Sequence, residues 1–274
     1  MRKPSTASEG RVRMRRTPRP PKAPGPGPRR EAQGQGTVVR HGVARVISKA
    51  GLASRTQAAA WVREGRVSVG GRVVHDPEHP VRDGVDEVCV DGRPLGSEAR
   101  VYLALNKPRG LVTTASDEKD RDTVYRCFDG AGLPWVAPVG RLDQASEGLL
   151  LFTNDPAWAA HITDPATGPD KTYRVQVDGV PGEDALRAMV AGLDEGGDRL
   201  SAKSVALLKS GGKTAWLEVV LDEGKNRQIR RLVKAAGFPV LRLVRVAIGG
   251  LALGELPKGG WRVLSDDEVA ALRR

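Results

Sequence analysis

The chain has 274 residues and 39% of them are hydrophobic, which is enough for one large domain and one small domain with a buried core. Its two cysteines, Cys89 and Cys127, lie in unrelated segments and form no Cys-x-x-Cys motif, which argues against a disulfide framework and a zinc site. No stretch approaches the roughly 18 consecutive apolar residues of a membrane span, so we expect a cytoplasmic protein that does not bind a membrane.

The formal net charge of +11 is concentrated near the N-terminus. Residues 1–30 contain ten Lys or Arg and one acid, which leaves 34 basic and 32 acidic residues for the rest of the chain. Seven prolines by position 28 and the lack of apolar periodicity predict that residues 1–36 form a disordered tail. Such a tail either holds RNA phosphates loosely or has no role of its own.

Residues 40–97 are predicted to form a small domain of two helices and short strands. The first helix ends at Gly51, and the following SRTQ has the form of a capping box for a second helix, which runs to about Glu64. Two alternating apolar runs flank the glycine pair at 70–71 and predict a hairpin. The later run DEVCVDG predicts another short strand that ends in an Asp-Gly turn.

Between residues 40 and 75 there are seven basic side chains and one acid. This clustering is typical of a nucleic-acid-binding face, although an ordinary solvated face would look the same. With the runs KAGLASR (49–55) and VREGRVSVGG (62–71), the segment resembles the S4 RNA-binding domain, whose two helices present a basic face to structured RNA. The resemblance implies RNA contacts from four basic residues: Lys49, Arg55, Arg63 and Arg66.

Residues 76–98 are rich in acids and prolines, and they are interpreted as the far side of the small domain and a linker. Further along, apolar runs predict strands at 102–106, 148–154, 171–179, 215–221 and 240–248, with helices near 156–162, 183–192 and 226–236. Residues 101–265 are therefore predicted to form a mixed α+β domain around a mainly antiparallel sheet. Residues 266–274 are predicted to be a C-terminal tail.

The run GRLDQASEGLLLFTND, residues 140–155, places Asp143 in a polar turn just before an apolar strand. A carboxylate at the mouth of a strand can be reached by a ligand. By spacing alone, however, such an acid is more often a turn or capping residue than a catalyst.

Five ordered blocks make residues 45–265 resemble the RsuA family of pseudouridine synthases. The blocks are YLALNKPRGLVTT (102–114), PVGRLDQASEGLLLFTND (138–155), KTYRV (171–175), EGKNRQIRRL (223–232) and GFPVLRLVRVAIGGLALGELPKGGWR (237–262). The resemblance implies an enzyme that isomerises uridine in RNA to pseudouridine without a metal or any other cofactor. It also implies that Asp143 is the catalytic carboxylate, acting either as a nucleophile or as a base toward the ribose.

The same blocks imply the other site residues. Tyr173 matches the position whose ring stacks on the flipped uracil, and Arg230 matches the cation that pairs with the Asp143 carboxylate and keeps it ionised. Leu243 and Arg245 form the family's LxR element, which is expected to close the pocket beneath the uracil. Further RNA contacts are expected from basic and polar residues of these blocks: Lys107, Arg141, Lys171, Asn226, Arg227, Gln228 and Arg231.

The S4-like segment favours ribosomal RNA over transfer RNA, and its two runs look more like those of the large-subunit enzymes than of the small-subunit ones. The rival hypothesis is an S4-type assembly factor that binds ribosomal RNA without catalysis, but the retention of Asp143, Tyr173 and Arg230 argues against it. Pro156 stands where the family usually has glycine, which is expected to alter the turn but not the catalytic residues. The basic tail and the loop at 75–82 are also unusual and leave the target uridine open. A monomer is the default expectation.

Overall fold

The structure is a computed structural model that describes residues 40–96, 99–115 and 117–273. The tail predicted at residues 1–36 lies outside the described residues. The described residues form one compact unit, in which a small N-terminal domain contacts a larger one. No helix in the described ranges is long and apolar enough to span a membrane.

The small domain combines two helices with short strands. Its elements are β1 (Arg40–Gly42), α1 (Val43–Lys49), α2 (Arg55–Arg63), β2 (Val67–Val69), β3 (Arg72–Val73), β4 (Pro80–Arg82), β5 (Val88–Val90) and β6 (Arg93–Pro94). The strands β3-β2-β5-β6 form an antiparallel sheet, and β1 pairs with β4. The helices and strands enclose a core that includes Ile47, Val62 and Val67.

Local sequence signals set these boundaries. α1 is followed by Gly51, whose φ of +79° is the left-handed conformation typical of the residue after a helix C-cap. The Ser54 hydroxyl accepts a hydrogen bond from the Gln57 amide at 3.1 Å and caps the start of α2. The hairpin of β2 and β3 turns at Gly70 and Gly71, both with positive φ, so the predicted helices and hairpin are confirmed.

The large domain is built on one mixed sheet. Its elements are β7 (Tyr102–Lys107), a 3-10 helix (Val124–Phe128), β8 (Ala137–Val139), β9 (Glu147–Thr153), α3 (Pro156–Thr163), β10 (Lys171–Asp178), α4 (Glu183–Ala191), β11 (Leu193–Glu195), β12 (Asp198–Leu200), β13 (Ser204–Ser210), β14 (Thr214–Leu221), α5 (Gln228–Ala235), β15 (Val240–Ile248), β16 (Leu251–Ala252), β17 (Trp261–Val263) and α6 (Asp266–Ala271). The strands and helices predicted for this domain are confirmed, whereas the 3-10 helix and the strands β8, β11, β12, β13, β16 and β17 were not predicted.

The main sheet has two sections that meet at one parallel pair of strands. Its order is β13-β14-β10-β15-β9-β7-β17, with β16 added to β15 and β8 added to β9. Every pairing is antiparallel except that of β15 with β9. We call β13, β14, β10 and β15 the β10 section, and β9, β7 and β17 the β9 section. The predicted α+β fold around a mainly antiparallel sheet is confirmed.

The apolar run of β9 is continuous because both faces of this strand are buried. Leu149 and Leu151 pack in a core with α3 and α6, whereas Leu150 and Phe152 pack on the other face with the 3-10 helix. A strand between two cores has little freedom to move, so the preceding turn, which carries Asp143, is firmly placed.

The C-terminal segment is a helix packed on the core, and not the tail that the sequence predicted. Ser265 and Glu268 form a capping box at the start of α6, and Val269 and Leu272 are buried in the core beneath β9. A helix of 6 residues is too short to show helical periodicity, which explains the wrong prediction.

Pro156 changes the start of α3 without disturbing the preceding strand. It lies at the first position of the helix, where its missing N–H leaves no hydrogen bond unmade. Asp155 caps the helix, because its Oδ1 accepts from the amides of Ala157 and Trp158 at 3.1 Å each. This departure from the family pattern therefore lies at the opposite end of β9 from the turn that carries Asp143.

Gly51 and Asn154 mark the contact between the two domains. A Cβ atom on Gly51 would lie 1.9 Å from the carbonyl oxygen of Asn154, so this approach requires glycine. Arg100 Nη1 donates to the carbonyl oxygens of Asn154 at 2.6 Å and of Ala50 at 3.4 Å. The small domain is therefore held against the end of the strand that begins after the Asp143 turn.

Candidate active site

A cleft of roughly 680 Å³ opens where the β10 section meets the β9 section. Its walls are the turn before β9, the side chains of β10 and β15, and the loop that leads into α5. The cleft brings together eight residues predicted from the sequence: Arg141, Asp143, Lys171, Tyr173, Arg227, Gln228, Leu243 and Arg245. Lys107, Asn226, Arg230 and Arg231 do not line it, and Lys49, Arg55, Arg63 and Arg66 lie on the small domain.

Asp143 is held by its backbone and open at its side chain. Its carbonyl oxygen accepts from the Ser146 amide at 2.9 Å, and the preceding Leu142 is buried in the core. Thr113 Oγ1 also donates to the Leu142 carbonyl at 2.8 Å. The Asp143 side chain is nevertheless 32% exposed at the wall of the cleft. A carboxylate placed in this way can meet a substrate without rearrangement of the fold.

Lys107 supports the Asp143 turn from inside the protein. The side chain is fully buried, and Nζ donates to the carbonyl oxygens of Pro108 at 3.1 Å, Asp143 at 3.2 Å and Ser146 at 2.9 Å. Burial lowers the pKa of Lys107 from 10.5 to about 8, although the charge of Asp143 opposes this shift. The prediction that Lys107 contacts RNA is wrong, because all three donors of its ammonium face carbonyl groups and solvent cannot reach it.

Two arginines at the start of α5 approach the Asp143 turn in different ways. Arg227 Nη1 lies 3.7 Å from Asp143 Oδ2, whereas Arg230 Nη2 donates to the carbonyl oxygen of Ala145 at 3.0 Å. The expected two-bonded pair of Arg230 with the carboxylate is therefore not formed. Arg230 is half-buried against the main chain of the turn, and its pKa is lowered by burial and by the nearby charges of Arg227 and Arg109.

Tyr173, Leu243 and Arg245 form the wall of the cleft that β10 and β15 contribute. Tyr173 is paired with Arg245 in the sheet register, and Leu243 precedes Arg245 by two residues, which places it on the same face. Arg245 is buried, and its Nε donates to the carbonyl oxygen of Leu149 at 2.7 Å, across the joint of the two sections. Lys171 lies two residues before Tyr173. The pKa of Lys171 is lowered mainly by burial and in addition by the positive charge of Arg245.

Gln228 is used inside the protein, and not for the RNA contact that the sequence predicted. The side chain is buried; its Oε1 accepts from the Lys225 amide at 3.0 Å, and its Nε2 donates to Ser201 O at 2.9 Å and Glu223 Oε1 at 2.6 Å. The amide group therefore closes the loop before α5 and has no unused donor for RNA.

Arg231 is likewise occupied by acids of the same chain. Its Nε lies 3.0 Å from Glu195 Oε2 and its Nη1 lies 2.8 Å from Asp198 Oδ2, both on the hairpin of β11 and β12. The expected RNA contact of Arg231 is therefore not supported, because two acids already neutralise the side chain. Asn226 lies in the loop before α5, between two residues that line the cleft, and it is exposed.

The basic face expected on the small domain is partly neutralised. Acids of the 76–98 segment lie beside the helices and strands, and not on a far side. Three of the four predicted RNA contacts are in exposed ion pairs: Lys49 with Asp83 at 2.7 Å, Arg55 with Glu78 at 3.5 Å, and Arg66 with Asp91 at 2.6 Å. Arg63 is exposed and makes no ion pair with a residue in the described part of the chain.

Arg109 is a basic residue near the site that the sequence analysis did not single out. It is exposed on the loop after β7, and this loop is tied to the residue after Asp143: Gly110 N donates to Gln144 O at 2.8 Å, and Gln144 Nε2 donates to Gly110 O at 3.0 Å. Its charge also lowers the pKa of Arg230, so the two guanidinium groups lie near each other. The KPRG run at 107–110 contains two basic residues, and Arg109 is the exposed one.

These features define a class of protein. The Asp143 carboxylate and the Tyr173 ring share one cleft with a basic rim, and a small domain of two helices and a hairpin with exposed basic side chains is attached. This is the arrangement of an RNA-modifying enzyme. Residues 101–235 match the family model described as RNA pseudouridylate synthase, and residues 43–88 match that of the S4 domain.

Individual relatives agree with the family models. The chain is 37% identical over 232 residues to ribosomal large subunit pseudouridine synthase B of Bacillus subtilis, with 84% of this chain and 94% of that protein covered. It is 39% identical over 231 residues to an RNA pseudouridine synthase of Mycobacterium bovis, with 83% and 91% covered. A crystal structure of a pseudouridylate synthase matches with a TM-score of 0.59 and 30% identity, covering 85% of this chain and 99% of that one. The chain therefore belongs to the RsuA family of RNA pseudouridine synthases, with an N-terminal S4 domain.

Proposed function

We propose that this pseudouridine synthase acts on one or a few uridines of ribosomal RNA in the large subunit, with Asp143 as the catalytic residue. The observation that carries the proposal is the placement of a partly exposed Asp143 carboxylate in a cleft that Tyr173 also lines. The Bacillus subtilis relative is named for the large ribosomal subunit and is covered over 94% of its length. A monomer remains the default expectation, and a ribosomal RNA substrate implies the cytoplasm.

In the proposed reaction the target uridine leaves its base stack and enters the cleft. The bond between uracil N1 and ribose C1′ breaks, the uracil rotates, and a bond forms between uracil C5 and C1′. The proton on C5 is then lost and N1 gains a proton, so substrate and product are isomers. Asp143 acts either as a nucleophile or as a base toward the ribose, and both routes require the ionised carboxylate.

Two arginines place positive charge near the Asp143 carboxylate. When RNA fills the cleft and displaces water, these charges take over part of the stabilisation that water gives to the carboxylate. Arg230 is a fixed charge, because it is half-buried and bonded to the carbonyl of Ala145. Arg227 lies closer to the carboxylate at 3.7 Å, but it is exposed and can also contact an RNA phosphate.

The wall formed by Tyr173, Leu243 and Arg245 is suited to hold a uracil ring. The flat ring of Tyr173 can stack on the base and still allow it to rotate, since stacking depends little on the orientation of the base in its plane. Leu243 adds apolar surface beside it. This wall belongs to β10 and β15, and the ribose would meet Asp143 from the turn before β9.

The RNA backbone is proposed to contact the rim of the cleft and the small domain. At the rim the exposed or partly exposed candidates are Arg109, Arg141, Lys171, Asn226 and Arg227. On the small domain Arg63 is the first candidate. Lys49, Arg55 and Arg66 can join it, because exposed ion pairs contribute about 0–1 kcal/mol and are readily exchanged for contacts with phosphate.

The test is a map of pseudouridines in total RNA from cells that carry the gene, lack it, or carry an Asp143→Asn copy. We expect one or a few sites in large-subunit RNA to lose the modification in the deletion strain, without recovery from Asp143→Asn. Loss in small-subunit or transfer RNA would correct the substrate and keep the chemistry. Identical maps in all three strains, with a defect in ribosome assembly in the deletion strain, would support the S4-type assembly factor.

A further inference from the structure

The two sections of the main sheet carry different parts of the active site. Tyr173 and Arg245 belong to the β10 section, whereas Asp143 lies in the turn directly before β9. The sections are joined by the parallel pairing of β15 with β9, which has two register pairs, at Glu147 and Gly148. By comparison, β10 and β14 share eight pairs. A small shift at this short joint would change the distance between Asp143 and the opposite wall of the cleft.

The side chain of Glu147 makes ion pairs with two basic residues at this joint. Its side chain is 4% exposed, and its two oxygens accept from Arg242 Nε at 2.8 Å and Arg242 Nη2 at 3.1 Å. Lys258 Nζ lies 2.6 Å from Glu147 Oε2. Arg242 is on β15 and its guanidinium lies over the ring of Trp216 on β14, while Lys258 is on the segment that leads into β17. One carboxylate therefore connects β9, β15 and the approach to β17.

We propose that Glu147 is a positioning residue whose ion pair with Arg242 locks the β10 section to the β9 section and so sets the separation between Asp143 and the opposite wall of the cleft. The inference rests on the proposed function, since the separation matters only if Asp143 is the catalytic group. Glu147 does not line the cleft, so its effect on catalysis would come through Asp143 and not through contact with RNA.

The charge state of Glu147 suits this role. Its hydrogen bonds to Arg242 and Lys258 hold its pKa at about 2, although burial acts in the opposite direction. The carboxylate is therefore ionised at any pH at which the enzyme would work. A two-bonded Arg–carboxylate pair also fixes the relative orientation of its partners, which a single contact would leave free.

The backbones of β9 and β15 approach each other closely at the joint. Gly148 has a φ of +103°, and a Cβ atom on it would lie 2.2 Å from the carbonyl oxygen of Arg245. The strands meet in close contact at Gly148, and the ion pair of Glu147 lies immediately beside this contact. Loss of the ion pair would remove the two-bonded contact across the joint and leave the two register pairs, the bond from Arg245 Nε to Leu149 O, and the apolar core that Ile248 shares with Leu149 and Leu151.

The chain contains a matched control for the stability that any such ion pair contributes. Glu268 on α6 accepts from Arg262 Nη1 at 2.7 Å and Arg262 Nη2 at 2.6 Å, and its pKa is also held at about 2. This pair connects α6 to β17 and lies outside the residues that line the cleft. Glu268→Gln removes the charge but keeps a residue that can complete the capping box with Ser265.

The experiment compares wild type, Glu147→Gln, Glu268→Gln and Asp143→Asn in the full-length protein. We measure the single-turnover rate of pseudouridine formation at saturating enzyme on an RNA fragment with the mapped uridine, the RNA dissociation constant, the midpoint of thermal unfolding, and hydrogen exchange of peptides from β9 and β15. For Glu147→Gln we expect a rate about tenfold to a hundredfold lower, because displacement of a catalytic group by less than 1 Å has effects of this size. RNA affinity should stay unchanged, and exchange in β9 and β15 should be faster.

Glu268→Gln should lower the unfolding midpoint but keep the wild-type rate and the exchange of β9 and β15. A wild-type rate for Glu147→Gln, or equal losses of rate for Glu147→Gln and Glu268→Gln, would overturn the inference.

If Glu147→Gln does not fold, Arg242→Lys takes its place, because it keeps the charge but loses the two-bonded geometry. A wild-type rate for Arg242→Lys would also overturn the inference. If wild type makes no pseudouridine, the proposed function has failed, and hydrogen exchange still reports whether the ion pair closes the joint.

Discussion

Arg227 Nη1 lies 3.7 Å from Asp143 Oδ2, although Arg230 is the arginine that the family pattern pairs with this carboxylate. Arg230 donates instead to the carbonyl oxygen of Ala145 at 3.0 Å. One arginine therefore supports the main chain of the turn and the other approaches its charged group from the exposed side. The two residues should respond differently to mutation.

Two variants of Arg227 test two different effects. Arg227→Ala and Arg227→Gly both remove the charge, and the difference between them measures the cost of the left-handed backbone conformation. Arg227 caps α5 with a φ of +49°, in the left-handed region that costs a residue with a Cβ atom about 1 kcal/mol. We expect both variants to bind RNA more weakly and to reduce the slope of log affinity against log salt by about one. The Gly variant should unfold with a free energy about 1 kcal/mol higher than the Ala variant.

RNA binding at several salt concentrations and urea unfolding measure these two effects independently. A salt dependence equal to wild type in both Arg227 variants would show that this side chain meets no phosphate. Equal stability of the Ala and Gly variants would show that the left-handed conformation is relaxed in solution.

Lys107→Met tests whether this lysine supports the Asp143 turn or contacts RNA. Methionine fills much of the same space but removes the lysine donor from the carbonyls of Pro108, Asp143 and Ser146, of which only the Asp143 carbonyl keeps a bond within the described part of the chain, from the Ser146 amide. We expect a loss of ~3 kcal/mol in the free energy of unfolding, together with a loss of activity, because the carbonyls of Pro108 and Ser146 lose their bond to Lys107. Urea unfolding measures the first effect and pseudouridine formation the second.

The control for this substitution is Lys209→Met, at an exposed position of β13. It should change stability by less than about 0.5 kcal/mol. Normal stability of Lys107→Met combined with weaker RNA binding would contradict the structural role and restore the RNA contact that the sequence suggested.

The buried ammonium of Lys107 also predicts a pH dependence of stability. The pKa of Lys107 is about 8 in the folded protein against 10.5 in the unfolded chain. Between these pH values the unfolded chain binds the proton and the folded protein does not, so the contribution of Lys107 to the free energy of unfolding rises with pH. Wild type should therefore gain stability relative to Lys107→Met from about pH 8 to about pH 10 in chemical unfolding. A constant difference over this range would mean that the ammonium keeps its proton in the folded state.

Gly51→Ala tests the contact between the small and the large domain. The added methyl group would lie 1.9 Å from Asn154 O, at a φ of +79°. Gly84→Ala is a matched control, because Gly84 has a φ of +75° and a Cβ atom there meets nothing within 4 Å. We expect Gly84→Ala to cost about 1 kcal/mol through backbone strain and Gly51→Ala to cost clearly more, with weaker RNA binding. Thermal unfolding and RNA affinity measure this, and equal costs would show that the domains separate easily at this contact.

The sequence predicted most of the secondary structure because local signals carry it. The glycine at position 51 marks the end of the first helix, and the continuous apolar run of β9 marks a strand that is buried on both faces. Both signals can be read from neighbouring residues in the sequence alone. The five family blocks also located Asp143, Tyr173, Leu243 and Arg245, and the structure brings all four to one cleft. α6 and the strands β8, β11, β12, β16 and β17 were missed because they are too short to show periodicity, and β13 was missed because it is largely exposed.

What the sequence determined by itself was the order of the elements, the family, and the turn that carries Asp143, the proposed catalytic residue. Only the tertiary structure decided which charged and polar side chains are left to meet RNA. Lys107 bonds to a carbonyl 39 residues away, Arg231 to an acid 36 residues away, and Arg66 to an acid 25 residues away. A side chain's charge can be read from its residue type, but its burial and its partner depend on segments that come together only when the chain folds.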